Sequence, residues 1–214
     1  MKHSCHLIER LLYMNLLFLA SFILFLIWFT ARMHVQKKKE KNFNADFWKR
    51  EAEANAVRRK PLDQLHYITI PLSGLPLNDS GSEKIRECIR TIRELSDQRI
   101  VNLNGISNTD LKLTYGAPNL PLLSEYDENF TLLISTLQKW ASLLYDAGQT
   151  AEAQAVLEFA VSAGSDISGS YKLLASIYRD HQEEQKIQDL IRSASELSSP
   201  MKDIIVRTLQ ESCP

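Results

Sequence analysis

The longest apolar run of the chain lies near its N-terminus and predicts a transmembrane helix over residues 11–31. Only three side chains in this run are polar, those of Asn15, Ser21 and Thr30. As a helix the run would span roughly 31 Å at about 1.5 Å per residue, which matches the hydrocarbon core of a bilayer. It is longer than the apolar part of a signal peptide and ends at a dense cluster of cations. Both features are typical of a membrane anchor.

The segments that flank the apolar run differ strongly in charge. Residues 1–10 are expected to form a short tail, and residues 32–60 a basic juxtamembrane helix, the basic collar. In this collar, residues 44–60 favour a helix that Asn44 caps and Pro61 ends. Only Lys2 and Arg10 precede the run, whereas seven Lys and Arg follow it within twenty residues. The positive-inside rule therefore predicts a single-pass cell-membrane protein, with its N-terminus outside and its C-terminal part cytoplasmic.

The pattern over residues 61–126 predicts an irregular segment that includes one clear helix. Residues 62–77 hold two Pro and one Gly but remain rich in apolar side chains, which favours an extended strap laid over a folded domain. Ser80 and Glu83 resemble a capping box. After them, apolar residues recur on one helical face: Ile85, Cys88, Ile89, Ile92 and Leu95. Farther on, Leu111, Leu113 and Tyr115 fit either a short strand or one turn of helix that Asn108 caps and Gly116 closes.

From Asp127 onward the pattern changes to amphipathic helices that repeat themselves. Seven positions keep their residue class at a constant interval along the chain, the repeat period, with one Ala replaced by Ile: Leu137/Tyr171, Trp140/Leu174, Ala141/Ala175, Leu144/Tyr178, Ala153/Ile187, Leu157/Ile191 and Ala160/Ala194. This segment resembles the tetratricopeptide repeat (TPR) family, whose helix–turn–helix unit of about 34 residues has the same length as this period. The resemblance covers about residues 129–212. It departs from the family at Gln182, where the first unit has the turn glycine Gly148.

The resemblance implies a mainly α fold of two TPR-like units followed by one further helix. The units would cover residues 134–167 and 168–200, within a repeat region of 127–214, and residues 201–212 would cap the last unit. Two units are fewer than such arrays usually need. The strap and helix within residues 61–126 are therefore expected to pack on the first unit.

Charge excludes some function classes without naming one. The net charge of the chain is −1. The basic collar has ten Lys and Arg against four acidic residues, whereas residues 61–214 have 13 against 21. We expect the collar to contact anionic lipid headgroups. Because the folded part is acidic, we expect no nucleic acid as a partner.

The sequence contains no recognisable catalytic or metal-binding motif. There is no nucleophile elbow, phosphate-binding loop or dinucleotide fingerprint, and no two Cys or His stand at zinc spacing. We therefore expect no catalytic residues, no metal, no cofactor and no enzymatic activity.

Two functions remain open. In the first, the chain is a membrane-anchored scaffold or adaptor that binds a protein or peptide, itself membrane-associated, along the concave face that the TPR resemblance implies. The residues of that face are Ser135, Gln138, Ser142, Tyr145, Lys172, Ser176 and Arg179. In the second, the strap fills this groove in cis, and the chain is a structural subunit of a membrane complex.

Overall fold

The computed structural model describes the backbone of residues 2–78 and 82–212, and the side chains of residues 19–37, 44–78 and 82–211. The chain divides into two compact units, residues 1–53 and 54–214. The described residues are mainly helical, as the sequence predicts, and the one β-contact recorded among them is the isolated bridge between Tyr67 and Val101.

The first unit is formed by one helix, α1 (Lys2–Asn55). The helix runs through Asn44 without a break, so the prediction that Asn44 caps a separate helix is wrong. Residues 1–60 contain no Gly or Pro, so nothing in the sequence interrupts the helix. Within the described side chains, Leu19–Lys37 is long and apolar enough to cross a membrane, and it is exposed throughout. The side chains of residues 11–18 and 38–43, part of the predicted span and collar, lie outside the described residues.

Helix α1 ends at Asn55 and not at Lys60, because the residues after Asn55 form backbone hydrogen bonds with other residues of the second unit. The Ala117 N–H donates to the Val57 carbonyl at 3.2 Å, and the Lys60 N–H donates to the Tyr115 carbonyl at 3.0 Å. Gly116 makes this approach possible. Its φ is +92°, and a Cβ there would lie 2.2 Å from the Arg58 carbonyl oxygen.

The strap and helix α2 (Glu83–Ser96) follow the predicted pattern closely. The five apolar residues of the predicted face are all buried. The cap, however, is Ser82, whose hydroxyl oxygen accepts a hydrogen bond from the Ile85 N–H at 3.4 Å, and Ser80 lies outside the described residues. Along the strap, Ile70 and Leu75 are buried in the same core as α2.

The segment before the repeats contains more helix than the sequence predicts. Helix α3 (Asn108–Tyr115) takes the helical alternative, but Ser107 caps it instead of Asn108. Helix α4 (Leu120–Asp146) begins seven residues before the predicted change at Asp127. The reason is Pro121, which has no backbone N–H to lose in the first turn of a helix and thus starts α4 instead of breaking it.

Four further helices follow at regular intervals. They are α5 (Thr150–Ser162), α6 (Ser168–Asp180), α7 (Glu184–Ser195) and α8 (Lys202–Ser212). The starts of α5 and α7 are one repeat period apart, as are the starts of α6 and α8. Each helix packs against the next one from α4 to α8, and α4 also packs against both α2 and α6. Thus α2 covers α4 on one side of the series, and α8 packs on α6 and α7 on the other.

The side chains that recur at the repeat period form the centre of the core. Thirteen of the fourteen are buried, and Ile191 is partly buried against the same cluster. A smaller cluster joins the strap, α3 and the start of α4 through Leu65, Leu111 and Leu123.

The loop of residues 102–105 ties together the two loops that separate the helix pairs. Asn102 donates from its amide nitrogen to the Gly164 carbonyl at 3.2 Å, just before α6. Asp166, in the same loop as Gly164, accepts from the Asn104 amide at 3.2 Å and from the Ser199 hydroxyl at 2.6 Å. Since Ser199 precedes α8, one carboxylate connects three separate loops.

Candidate interaction surface

The seven residues of the predicted concave face lie on one face of α4 and one face of α6. On α4 they are Ser135, Gln138, Ser142 and Tyr145, and on α6 they are Lys172, Ser176 and Arg179. Their spacings of three and four residues place each group along a single helical stripe. We call these seven residues the α4–α6 face. Because the two helices pack together, the two stripes belong to neighbouring elements.

Gln138 connects α4 and α6 through hydrogen bonds of its side chain. Its side-chain oxygen accepts a hydrogen bond from the Ser170 hydroxyl at 2.6 Å, and its amide nitrogen donates to the Ser142 hydroxyl at 3.2 Å. Gly169 makes room for this contact, since a Cβ there would lie 3.0 Å from the Gln138 amide nitrogen. Sequence reasoning missed Ser170, because polar contacts between distant helices have no periodic signature.

Lys172 and Arg179 supply the positive charge of the α4–α6 face. Both side chains are exposed. They are seven residues apart on one helix, so they lie about two turns, or roughly 10 Å, apart along its axis. Such a pair can contact two carboxylates of a partner at the same time, and hydrogen bonds to charged groups are the stronger ones.

The other three residues of the face are uncharged. Ser135 is exposed, and its hydroxyl donates back to the Leu132 carbonyl of its own helix at 3.0 Å. Ser176 is half-buried between the two cations in sequence. Tyr145 is half-buried and packs against the core with part of its ring. These three residues add two hydroxyls and one aromatic side chain to the α4–α6 face.

The strap is held by groups outside the α4–α6 face. The Ile68 N–H donates to the Ile100 carbonyl at 2.9 Å, and the Arg93 guanidinium donates to the Leu77 carbonyl at 3.2 Å. Tyr67 forms the bridge to Val101 and stacks edge-on with Tyr126. These contacts place the strap on α2, on the segment after it and on the first turns of α4.

A second depression, which the sequence did not predict, lies between α5 and α7 over α6. Its volume is about 450 Å³. We call it the α5–α7 groove. At one end the Tyr178 hydroxyl donates to Glu158 at 3.0 Å, and the Lys186 ammonium lies 5.2 Å from the centre of the Tyr178 ring. Burial, and then the bond to Glu158, raise the pKa of Tyr178 well above its usual range. The hydroxyl therefore stays protonated at neutral pH.

Metal-binding clusters do not emerge from the described part of the chain. No group of three or more His, Cys, Asp or Glu is placed there to hold a metal ion. Cys88 is 2% exposed, and burial raises the pKa of its thiol, which favours the unreactive protonated form.

No protein family, no curated protein and no solved structure shows significant similarity to this chain.

Proposed function

We propose that this chain is a membrane-anchored protein interaction module. Its second unit would contain two TPR-like repeats, residues 134–167 and 168–200, capped by α8. The recurrence of helix starts and buried side chains at one repeat period carries this proposal. Helical repeats stack their units and expose one side chain stripe from the first helix of each, which is how they commonly bind peptides.

The proposed binding surface is the α4–α6 face, and the proposed partner segment is acidic. Lys172 and Arg179 provide the two exposed cations, and the hydroxyls of Ser135 and Ser176 lie along the same stripes. The alternative in which the strap fills this face in cis has less support, because the hydrogen bonds of the strap go to Arg93 and Ile100. A face that the strap leaves open would favour the adaptor over the purely structural subunit.

The proposed location is the cell membrane, with α1 crossing it once and the second unit in the cytoplasm. The apolar exposed stretch Leu19–Lys37 supports the crossing. The excess of Lys and Arg after the stretch supports the orientation. Confinement to the membrane surface would raise the effective concentration of the module for other membrane-bound partners.

Affinity capture from solubilised membranes tests the proposal. Full-length protein is compared with the double variant Lys172→Glu, Arg179→Glu and with a matched control, Lys84→Glu, Arg90→Glu, which reverses two exposed charges on α2. Each charge-assisted contact is worth about 1.5–3 kcal/mol, so the first variant should weaken capture more than roughly 100-fold. The control should capture as the parent does. Equal capture by all three proteins would exclude the α4–α6 face as the binding surface.

A further inference from the structure

The α5–α7 groove combines apolar side chains with acidic groups. Leu174 of α6 and Leu190 of α7 line it, together with Leu197 just after α7. Asp189 and Ser193 of α7 and Glu196 just after it follow one another at spacings of four and three residues, and all three line the groove. A depression with this composition matches an apolar side chain flanked by positive charges.

The end of the groove near Tyr178 already holds a cation of the chain itself. The Lys186 ammonium lies over the Tyr178 ring, 3.0 Å from a Glu183 oxygen and 3.9 Å from a Glu158 oxygen. Carboxylates and the face of an aromatic ring both attract an ammonium group. The position of Lys186 thus shows that this environment stabilises positive charge.

The opposite end offers similar surroundings without a basic residue among the described residues that line it. There Ser162 and Gly164 line the groove beside Ser193 and Glu196. The Glu196 carboxylate at this end favours a cation. Asp189, which pairs with Arg192 at 3.3 Å, adds charge midway along the groove.

From this arrangement we infer that the α5–α7 groove is a second docking surface, and that it binds a basic amphipathic peptide segment of another protein. The apolar side chains of the segment would contact Leu174, Leu190 and Leu197, and a Lys or Arg would lie at the end formed by Ser162 and Glu196. The charge complementarity is opposite to that of the α4–α6 face. The inference therefore goes beyond the proposed function, and only the choice of partner rests on the proposed anchor.

A partner segment of this chemistry is common where the proposed anchor would place the module. Cytoplasmic segments that flank membrane spans carry an excess of Lys and Arg. An acidic groove held near the membrane would meet such segments in neighbouring membrane proteins. The second unit is acidic as a whole, so it would attract any cationic peptide to some extent. The test must therefore distinguish binding in the groove from this non-specific attraction.

Fluorescence anisotropy with the full-length protein in detergent provides that test. The probe is a labelled peptide in which Leu and Arg occupy one helical face in alternation, with a counterpart that has Glu in place of each Arg. The Arg peptide should bind at least about tenfold more tightly than the Glu peptide. The double variant Asp189→Asn, Glu196→Gln should bind the Arg peptide about tenfold more weakly and so lose this preference. The control Glu125→Gln, Glu128→Gln removes two exposed charges of α4 and should bind as the parent does.

A second variant tests whether weaker binding could result from unfolding of the protein. Ser193→Arg places a guanidinium of the chain in the groove at an exposed position, and it should weaken the Arg peptide while leaving the helical circular dichroism unchanged. Equal losses in the groove variant and the α4 control, or no loss in either, would overturn the inference. The Lys172→Glu, Arg179→Glu protein should still bind the Arg peptide, so failure of the proposed function and failure of this inference are distinguishable.

Discussion

Ser165 and Ser199 are one repeat period apart and make the same local contact. The Ser165 hydroxyl oxygen accepts a hydrogen bond from the Ile167 N–H at 3.3 Å, and the Ser199 hydroxyl oxygen accepts one from the Met201 N–H at 3.2 Å. Both serines are buried, each in the loop before a helix. The repetition therefore extends from the apolar positions to the polar contacts of the loops, which supports the proposed repeat units.

The turns within the two helix pairs repeat in the same way. Gly148 and Gln182 both have positive φ, +77° and +59°. After them, the Gln149 N–H donates to the Leu144 carbonyl at 2.9 Å, and the Glu183 N–H donates to the Tyr178 carbonyl at 2.8 Å. The second pair thus keeps the left-handed turn although it lacks the glycine that usually adopts it.

This difference predicts opposite effects of two substitutions on stability. Gln182→Gly should raise the free energy of unfolding by about 0.5 kcal/mol, because relief of left-handed strain exceeds the entropy that glycine adds to the unfolded chain. Gly148→Gln should lower it by a similar amount, about 0.5 kcal/mol, since a Cβ there meets no atom within 4 Å and the same two effects act in reverse. Chemical denaturation followed by circular dichroism measures both. A destabilised Gln182→Gly protein would contradict the equivalence of the turns.

Replacement of Ala160 tests the packing between the helices. Ala160 is fully buried on α5, as is its counterpart Ala194 on α7. Ala160→Phe should overpack this contact and lower the free energy of unfolding by about 1–3 kcal/mol. Ala151→Phe is the matched control, because Ala151 lies exposed on the same helix. Thermal melting should separate the two variants, and identical melting temperatures would indicate that the alanine spacing carries no packing role.

Loss of the Asp166 carboxylate should loosen the loops between the helix pairs. Asp166→Ala leaves the Ser199 hydroxyl and the Asn104 amide without this acceptor, at a cost of about 1–3 kcal/mol in the free energy of unfolding. Asp146→Ala, which removes an exposed carboxylate at the end of α4, should have little effect. Hydrogen exchange at the loop before α6 would show whether the loss is local. Unchanged exchange and unchanged stability would exclude a structural role for the carboxylate.

The pH dependence of the free energy of unfolding should reveal the ionisation of Tyr171. Burial, and then the nearby Asp166 charge, raise the pKa of Tyr171 from 10.0 to about 12, and its hydroxyl donates to the Ser165 carbonyl at 2.9 Å. Because the folded pKa is the higher one, this stabilisation is complete below about pH 10 and is lost as the pH rises towards 12. Tyr171→Phe should therefore flatten the decline of stability over that window. A decline of equal slope in both proteins would show that Tyr171 does not titrate as its burial implies.

Thiol labelling of intact cells tests the proposed orientation. Cys213 would lie in the cytoplasm and Cys5 outside, while Cys88 is buried. In a Cys5→Ser background, an impermeant maleimide should label Cys213 only after permeabilisation. In a Cys213→Ser background, it should label Cys5 without permeabilisation. Labelling of Cys213 in intact cells would reverse the topology.

The sequence predicted those parts of the fold that rest on periodic burial. The face of α2 and the seven pairs of the repeat were visible because apolar spacing alone determines them. The start of α4 was misplaced since Pro121 is compatible with both a turn and a first helical position. The continuity of α1 was missed because Asn44 is favoured at caps yet tolerated inside a helix.

The candidate site was predictable only in outline. Lys172 and Arg179 could be placed on one stripe from their spacing. Hydrogen bonds join Gln138 to Ser170 and Asp166 to Ser199, which are pairs of residues far apart along the chain. No local sequence pattern predicts such bonds. The α5–α7 groove was missed because Tyr178 is a core residue by its spacing, whereas its hydroxyl reaches the rim at Glu158.

Photo-crosslinking in cells tests most directly whether the α4–α6 face binds a partner. A benzophenone amino acid replaces Ser176, between the two cations, or Lys84, exposed on α2 as the control position. The proposed function predicts a protein adduct at position 176, none at position 84, and loss of the adduct in a Lys172→Glu, Arg179→Glu background. Adducts that are the same at both positions, or that persist in the charge-reversed background, would contradict it.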